Sequence, residues 1–69
     1  MKLTLTLQEW SDIFDIDGVE IVDELGWNPY CLNEGTANYN TQATLSIVQV
    51  SRMSPLSDTK IEALFKKLA

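Results

Sequence analysis

Thr4-Leu5-Thr6-Leu7-Gln8-Glu9-Trp10-Ser11-Asp12-Ile13 aligns without a gap on Thr44-Leu45-Ser46-Ile47-Val48-Gln49-Val50-Ser51-Arg52-Met53, an offset of 40 residues. The same offset sets Ile16-Asp17 on Leu56-Ser57, Ile21 on Ile61 and Leu25 on Phe65. The match is one of residue kind more than identity: apolar positions and helix-capping residues recur. It predicts two copies of one structural unit, over about residues 3–25 and 43–65, joined by a short helix and loop within residues 27–42.

Within the first copy, residues 2–5 alternate polar and apolar, the pattern of a short strand. Thr6 is placed to cap a helix, and Glu9, three residues on, completes a capping box. Leu5 and Trp10 stand at hydrophobic-staple spacing, and Trp10, Ile13 and Phe14 form one apolar stripe. A helix over residues 7–14 is predicted. The pattern then recurs: Asp17 caps a second helix with Glu20 at the reciprocal position, Ile16 and Ile21 form the staple, and Gly26 supplies the left-handed stop. A third short helix is expected to start at Asn28 with Pro29 in the first turn, Trp27 and Leu32 as its staple and Gly35 at its end. Residues 36–42 read as a loop.

In the second copy, Thr44-Leu45 is the strand, and Ser46 with Gln49 offers another capping box. Ile47, Val48 and Val50 favour strand by propensity, so residues 43–50 also read as one longer strand. The last helix has cap Ser57, staple Leu56 and an Ile61, Leu64, Phe65, Leu68 stripe. Its acids lie near the start and Lys66 and Lys67 near the end, as the helix dipole favours. The fold class expected is α+β. It is a small, mostly helical single domain of two pseudo-repeated strand-helix-helix units, with a minimal two-stranded antiparallel sheet.

At 69 residues the chain is near the lower limit for folding unaided. Cys31 is its single cysteine and it contains no histidine. An internal disulfide, a Cys/His zinc site and a His-activated Ser or Cys nucleophile are therefore excluded. Cys31 is expected as a small buried apolar residue. Asp15-Ile16-Asp17-Gly18 with Glu24 echoes a calcium loop, but Ile13 falls where the first ligand belongs, and a helix start accounts for the same residues. No enzyme, metal or cofactor is expected. No signal peptide or membrane span is legible, and the lone thiol suits a reducing cytoplasm.

Charge separates the two copies. Residues 8–34 hold eight carboxylates (Glu9, Asp12, Asp15, Asp17, Glu20, Asp23, Glu24 and Glu34) and neither Lys nor Arg. The second copy answers the first seven with Gln49, Arg52, Pro55, Ser57, Lys60, Ala63 and Leu64. The helix pair of the first copy has helix-turn-helix spacing but no cation for phosphates, so direct nucleic-acid binding is not expected. Carboxylates held on short helices imitate a phosphate track and suit a partner's groove lined with Lys and Arg. Trp27, Tyr30 and Tyr39 are candidate aromatic anchors, Trp27 with a competing place in the core.

The run Leu25-Gly26-Trp27-Asn28-Pro29-Tyr30-Cys31-Leu32-Asn33-Glu34-Gly35 resembles a segment of small phage and prophage proteins. Size and acidity are similar to those of the anti-CRISPR inhibitors that phages encode, several of them DNA mimics. The resemblance implies a cofactor-free inhibitor in the cytoplasm of a bacterial host cell that blocks a nucleic-acid-binding effector; the small size of the chain suits a monomer of regular helices or a small homodimer. The residues also allow a structural or assembly module, or a transcription accessory, whose acidity serves only solubility.

Overall fold

The computed structural model describes residues 1–27 and 39–69. Strand β1 (Lys2–Thr6) leads into helix α1 (Leu7–Phe14) and helix α2 (Gly18–Leu25). Strand β2 (Gln42–Ser46) leads into α3 (Ile47–Met53) and α4 (Asp58–Leu68). The fold is a small α+β domain with four helices and one two-stranded antiparallel sheet among the described residues. The helix expected from Asn28, with Tyr30, Cys31 and Glu34, lies outside those residues. Gln42, expected at the end of a loop, is instead the first residue of β2, because it pairs with Thr6.

Local capping sets the helix starts. The Thr6 hydroxyl accepts from the Glu9 N–H at 3.1 Å, and the Glu9 carboxylate accepts from the Thr6 N–H at 3.0 Å. Ser46 and Gln49 repeat this box at 3.2 and 2.8 Å. Two donors that a helix start leaves without partners are thus satisfied in each copy. This resolves residues 46–53: the box starts a helix despite the β-branched run. Asp17 caps α2 by accepting from Val19 N–H at 2.9 Å. Glu20 does not close the box expected there; it stays exposed. Gly26, at φ 73°, ends α2, with Gly26 N–H donating to the Asp23 carbonyl and Trp27 N–H to that of Val22. Trp27 is partly buried against the core, which leaves it unavailable as an exposed anchor.

The two copies meet about an approximate twofold axis. Thr4 pairs with its own counterpart Thr44, and the ladder runs outward symmetrically from Lys2–Ser46 to Thr6–Gln42. Leu7 N–H donates to the Thr41 carbonyl at 3.0 Å, and Ile47 N–H to the Met1 carbonyl at 3.1 Å, two bonds related by the offset of 40. Across the core from the sheet, the buried Ser54 hydroxyl donates to the carbonyl of Phe14, again its counterpart. The axis therefore passes from the Thr4–Thr44 pair through the core to Phe14 and Ser54.

Between these points the apolar stripes of all four helices converge. Leu7, Trp10, Phe14, Ile21, Val22, Val50, Ile61 and Phe65 are fully buried, with Leu45 of the sheet beside them. Trp10, Phe14 and Phe65 form an aromatic trio with centroids 5.1, 6.0 and 5.5 Å apart in tilted to edge-on geometry, the arrangement that ring quadrupoles favour. Trp10 Nε1 donates to the Ala43 carbonyl at 2.9 Å, so the one polar atom of the largest core side chain is satisfied.

Candidate acidic face

The carboxylates stand where the helical stripes leave them. On α1 the apolar side carries Leu7, Trp10 and Phe14, and Gln8, Glu9 and Asp12 point to solvent. On α2 the buried side carries Ile21 and Val22, and Val19, Glu20 and Asp23 are exposed. Asp15 and Asp17 are exposed in the turn between the helices. Asp15 closes α1 at φ 55°, a left-handed conformation that Asp tolerates better than most side chains.

Two of these acids also serve the fold. Glu9 and Asp17 cap helices, and their counterparts Gln49 and Ser57 do the same without a charge. Asp12 accepts a hydrogen bond from Gln8 Nε2 at 2.9 Å, an exposed contact along the helix. Glu24 differs from the rest: it is half-buried and forms an ion pair with Arg52 of α3. Sequence spacing put Glu24 on a shared face with Asp17 and Glu20. The structure instead turns it toward α3, where a cation of the other copy neutralises it. Among the described residues no other carboxylate forms an ion pair, so Lys60, Lys66 and Lys67 neutralise none of them.

An open concavity of about 700 Å³ lies where the α1–α2 turn faces the end of α3. Its lining includes Asp15, Asp17, Glu20, Tyr39 and Pro55. Glu9, Asp12, Asp23 and Glu24 are outside its lining. Tyr39, 42% exposed, lays its ring over Gly18, where a Cβ would come within 2.8 Å of ring atoms. The lack of a side chain at Gly18 is what admits the ring. Among the described residues no group of three or more His, Cys, Asp or Glu side chains is disposed to hold a metal ion. No helix there is long and apolar enough to cross a membrane.

Sequence reasoning missed the Arg52–Glu24 pair and the Ser54–Phe14 bond. Each joins positions 28 or 40 residues apart, and only the repeat itself could have hinted at the second. No protein-family model matches the chain, and no curated protein or solved structure matches it at a significant level.

Proposed function

We propose that the chain is a phage-type inhibitor that acts as an anti-CRISPR DNA mimic, setting the exposed carboxylates of α1 and α2 against a Lys/Arg-rich, nucleic-acid-binding surface of a host effector protein. One observation carries this reading. The second copy builds the same strand and helices with Gln49, Ser57, Lys60 and Ala63 where the first has Glu9, Asp17, Glu20 and Asp23. The fold therefore has no need of the negative charge, which is free to serve a partner. Carboxylates exposed on helices both steer and orient a cationic surface. Glu34 adds a seventh carboxylate on sequence grounds to the six exposed ones, Glu24 being paired with Arg52.

The experiment is a pull-down from bacterial lysate at low and high salt. It compares the natural chain with a variant carrying Asp12→Asn, Asp15→Asn, Glu20→Gln and Asp23→Asn. Glu9, Asp17 and Glu24 are left alone because they cap helices or pair with Arg52. The variant should keep its circular dichroism and lose the partner, and the natural complex should weaken as salt shortens the Debye length to about 8 Å at physiological strength. A partner held equally by both proteins and at both salt levels would overturn the reading in favour of an assembly or transcription-accessory module.

A further inference from the structure

We propose that the chain forms a twofold homodimer in which β1 pairs antiparallel with β1 of a second molecule, joining two two-stranded sheets into one of four strands. The alternation of the β1–β2 ladder leads there. Leu7 N–H donates to the Thr41 carbonyl and Ile47 N–H to the Met1 carbonyl, so the hydrogen-bonded pairs are the odd-numbered ones, Leu3–Leu45 and Leu5–Ala43 among them. The main-chain groups of Lys2, Thr4 and Thr6 therefore point to the outer edge of β1. Glu9 takes the Thr6 N–H there. Among the described residues no backbone group bonds the outward N–H and C=O of Lys2 and Thr4. Such an edge is a template for a further strand.

The repeat shows which edge is used. On β2 the core-side residues Ala43 and Leu45 are 2% and 0% exposed, whereas Leu3 and Leu5, at the matching positions of β1, are only half-buried. The sequence of β1 also selects its occupant, because it is complementary to itself. Turned about Thr4, Lys2-Leu3-Thr4-Leu5-Thr6 sets Thr4 on Thr4, Leu3 on Leu5 and Lys2 on Thr6. The N–H and C=O of Thr4 then bond those of Thr4 in the second molecule, and Lys2 N–H donates to the Thr6 carbonyl across the axis. Leu3 and Leu5 of both molecules meet in one apolar seam on the core side. Lys2 comes beside Glu9, the carboxylate held at the Thr6 N–H of the opposing strand, and gains a charge partner. At the matching places β2 has Gln42 and Gln49, which form no such pair. The contact is the same patch on both molecules, so it closes as a dimer. It holds whether or not the acidic face meets a partner.

Sedimentation velocity of the 69-residue protein, from about 10 μM to about 1 mM, should show a monomer–dimer equilibrium. Over the same range the amide signals of residues 2–6 in 15N-labelled protein should shift more than those of residues 42–46. In a mixture of 13C-labelled and unlabelled chains, an intermolecular contact between Leu3 Hα and Leu5 Hα reads the register, because those residues face each other as a non-hydrogen-bonded pair with closely spaced Cα atoms. Thr4→Pro removes an outward donor and no bond of the internal ladder, so it should abolish the dimer. Lys2→Glu, at an exposed position that leaves the core intact, should weaken the dimer roughly tenfold by setting a like charge against Glu9. A protein that stays monomeric up to about 1 mM, shifts centred on β2 or on the helices, or a dimer that Lys2→Glu leaves as tight as before would each overturn the proposal.

Discussion

The hydroxyls of Thr4 and Thr44 lie 2.7 Å apart on the exposed side of the sheet, and each is the other's counterpart in the repeat. A residue that touches its own equivalent must sit on the symmetry axis, so this contact marks where the two copies join. Directly opposed Thr pairs contribute about 0.2–1 kcal/mol.

Replacing Thr4 by Val should cost about 0.5–1 kcal/mol, because the Thr44 hydroxyl can still turn to water. The double replacement Thr4→Val with Thr44→Val should cost no more than the single one, since two facing Val residues suit a strand and leave no polar partner behind. Urea unfolding of the three proteins measures the coupling directly. Two additive losses would show that the hydroxyls do not interact.

Ser54→Ala should be the more damaging change at the other end of the axis. The Ser54 hydroxyl donates to the Phe14 carbonyl, a buried bond, and accepts from the Leu56 N–H at 3.2 Å. Orphaning a buried acceptor costs about 1–3 kcal/mol. The same unfolding measurement should place Ser54→Ala clearly below Thr4→Val in stability.

The helix caps separate charge from shape. Glu9→Gln and Asp17→Ser install what the second copy already uses, and each should change stability by less than about 0.5 kcal/mol. Asp17→Ala removes the acceptor altogether and should cost about 1 kcal/mol. Thermal unfolding of the three variants decides the matter. A Gln or Ser variant as unstable as the Ala variant would mean that the negative charge is itself structural.

What sequence reading reached here was governed by range. Thr6 with Glu9, Asp17 and Ser57 act within three residues, so those helix starts were legible from spacing alone. Ile47, Val48 and Val50 pulled toward strand, and the chain form of residues 47–53 followed only once the Ser46 box and the Ile47 bond to Met1 are seen together. Exposure of Glu9, Asp12, Glu20 and Asp23 followed from helical periodicity. The withdrawal of Glu24 into a pair with Arg52 did not, because it depends on how α2 meets α3. The seat of Tyr39 on Gly18 was hidden for the same reason, although a glycine at the start of a helix is a faint sign of something lying close above it.

The twofold arrangement has a consequence for how the molecule could be taken apart. Strand pairing, the aromatic trio and the Ser54–Phe14 bond all run between residues 1–27 and residues 39–69, and none of them needs the peptide chain to be continuous. Two separate peptides with those limits carry complementary halves of one core. Mixed together they should reassemble, at a cost set mainly by the loss of the covalent link that keeps one half near the other.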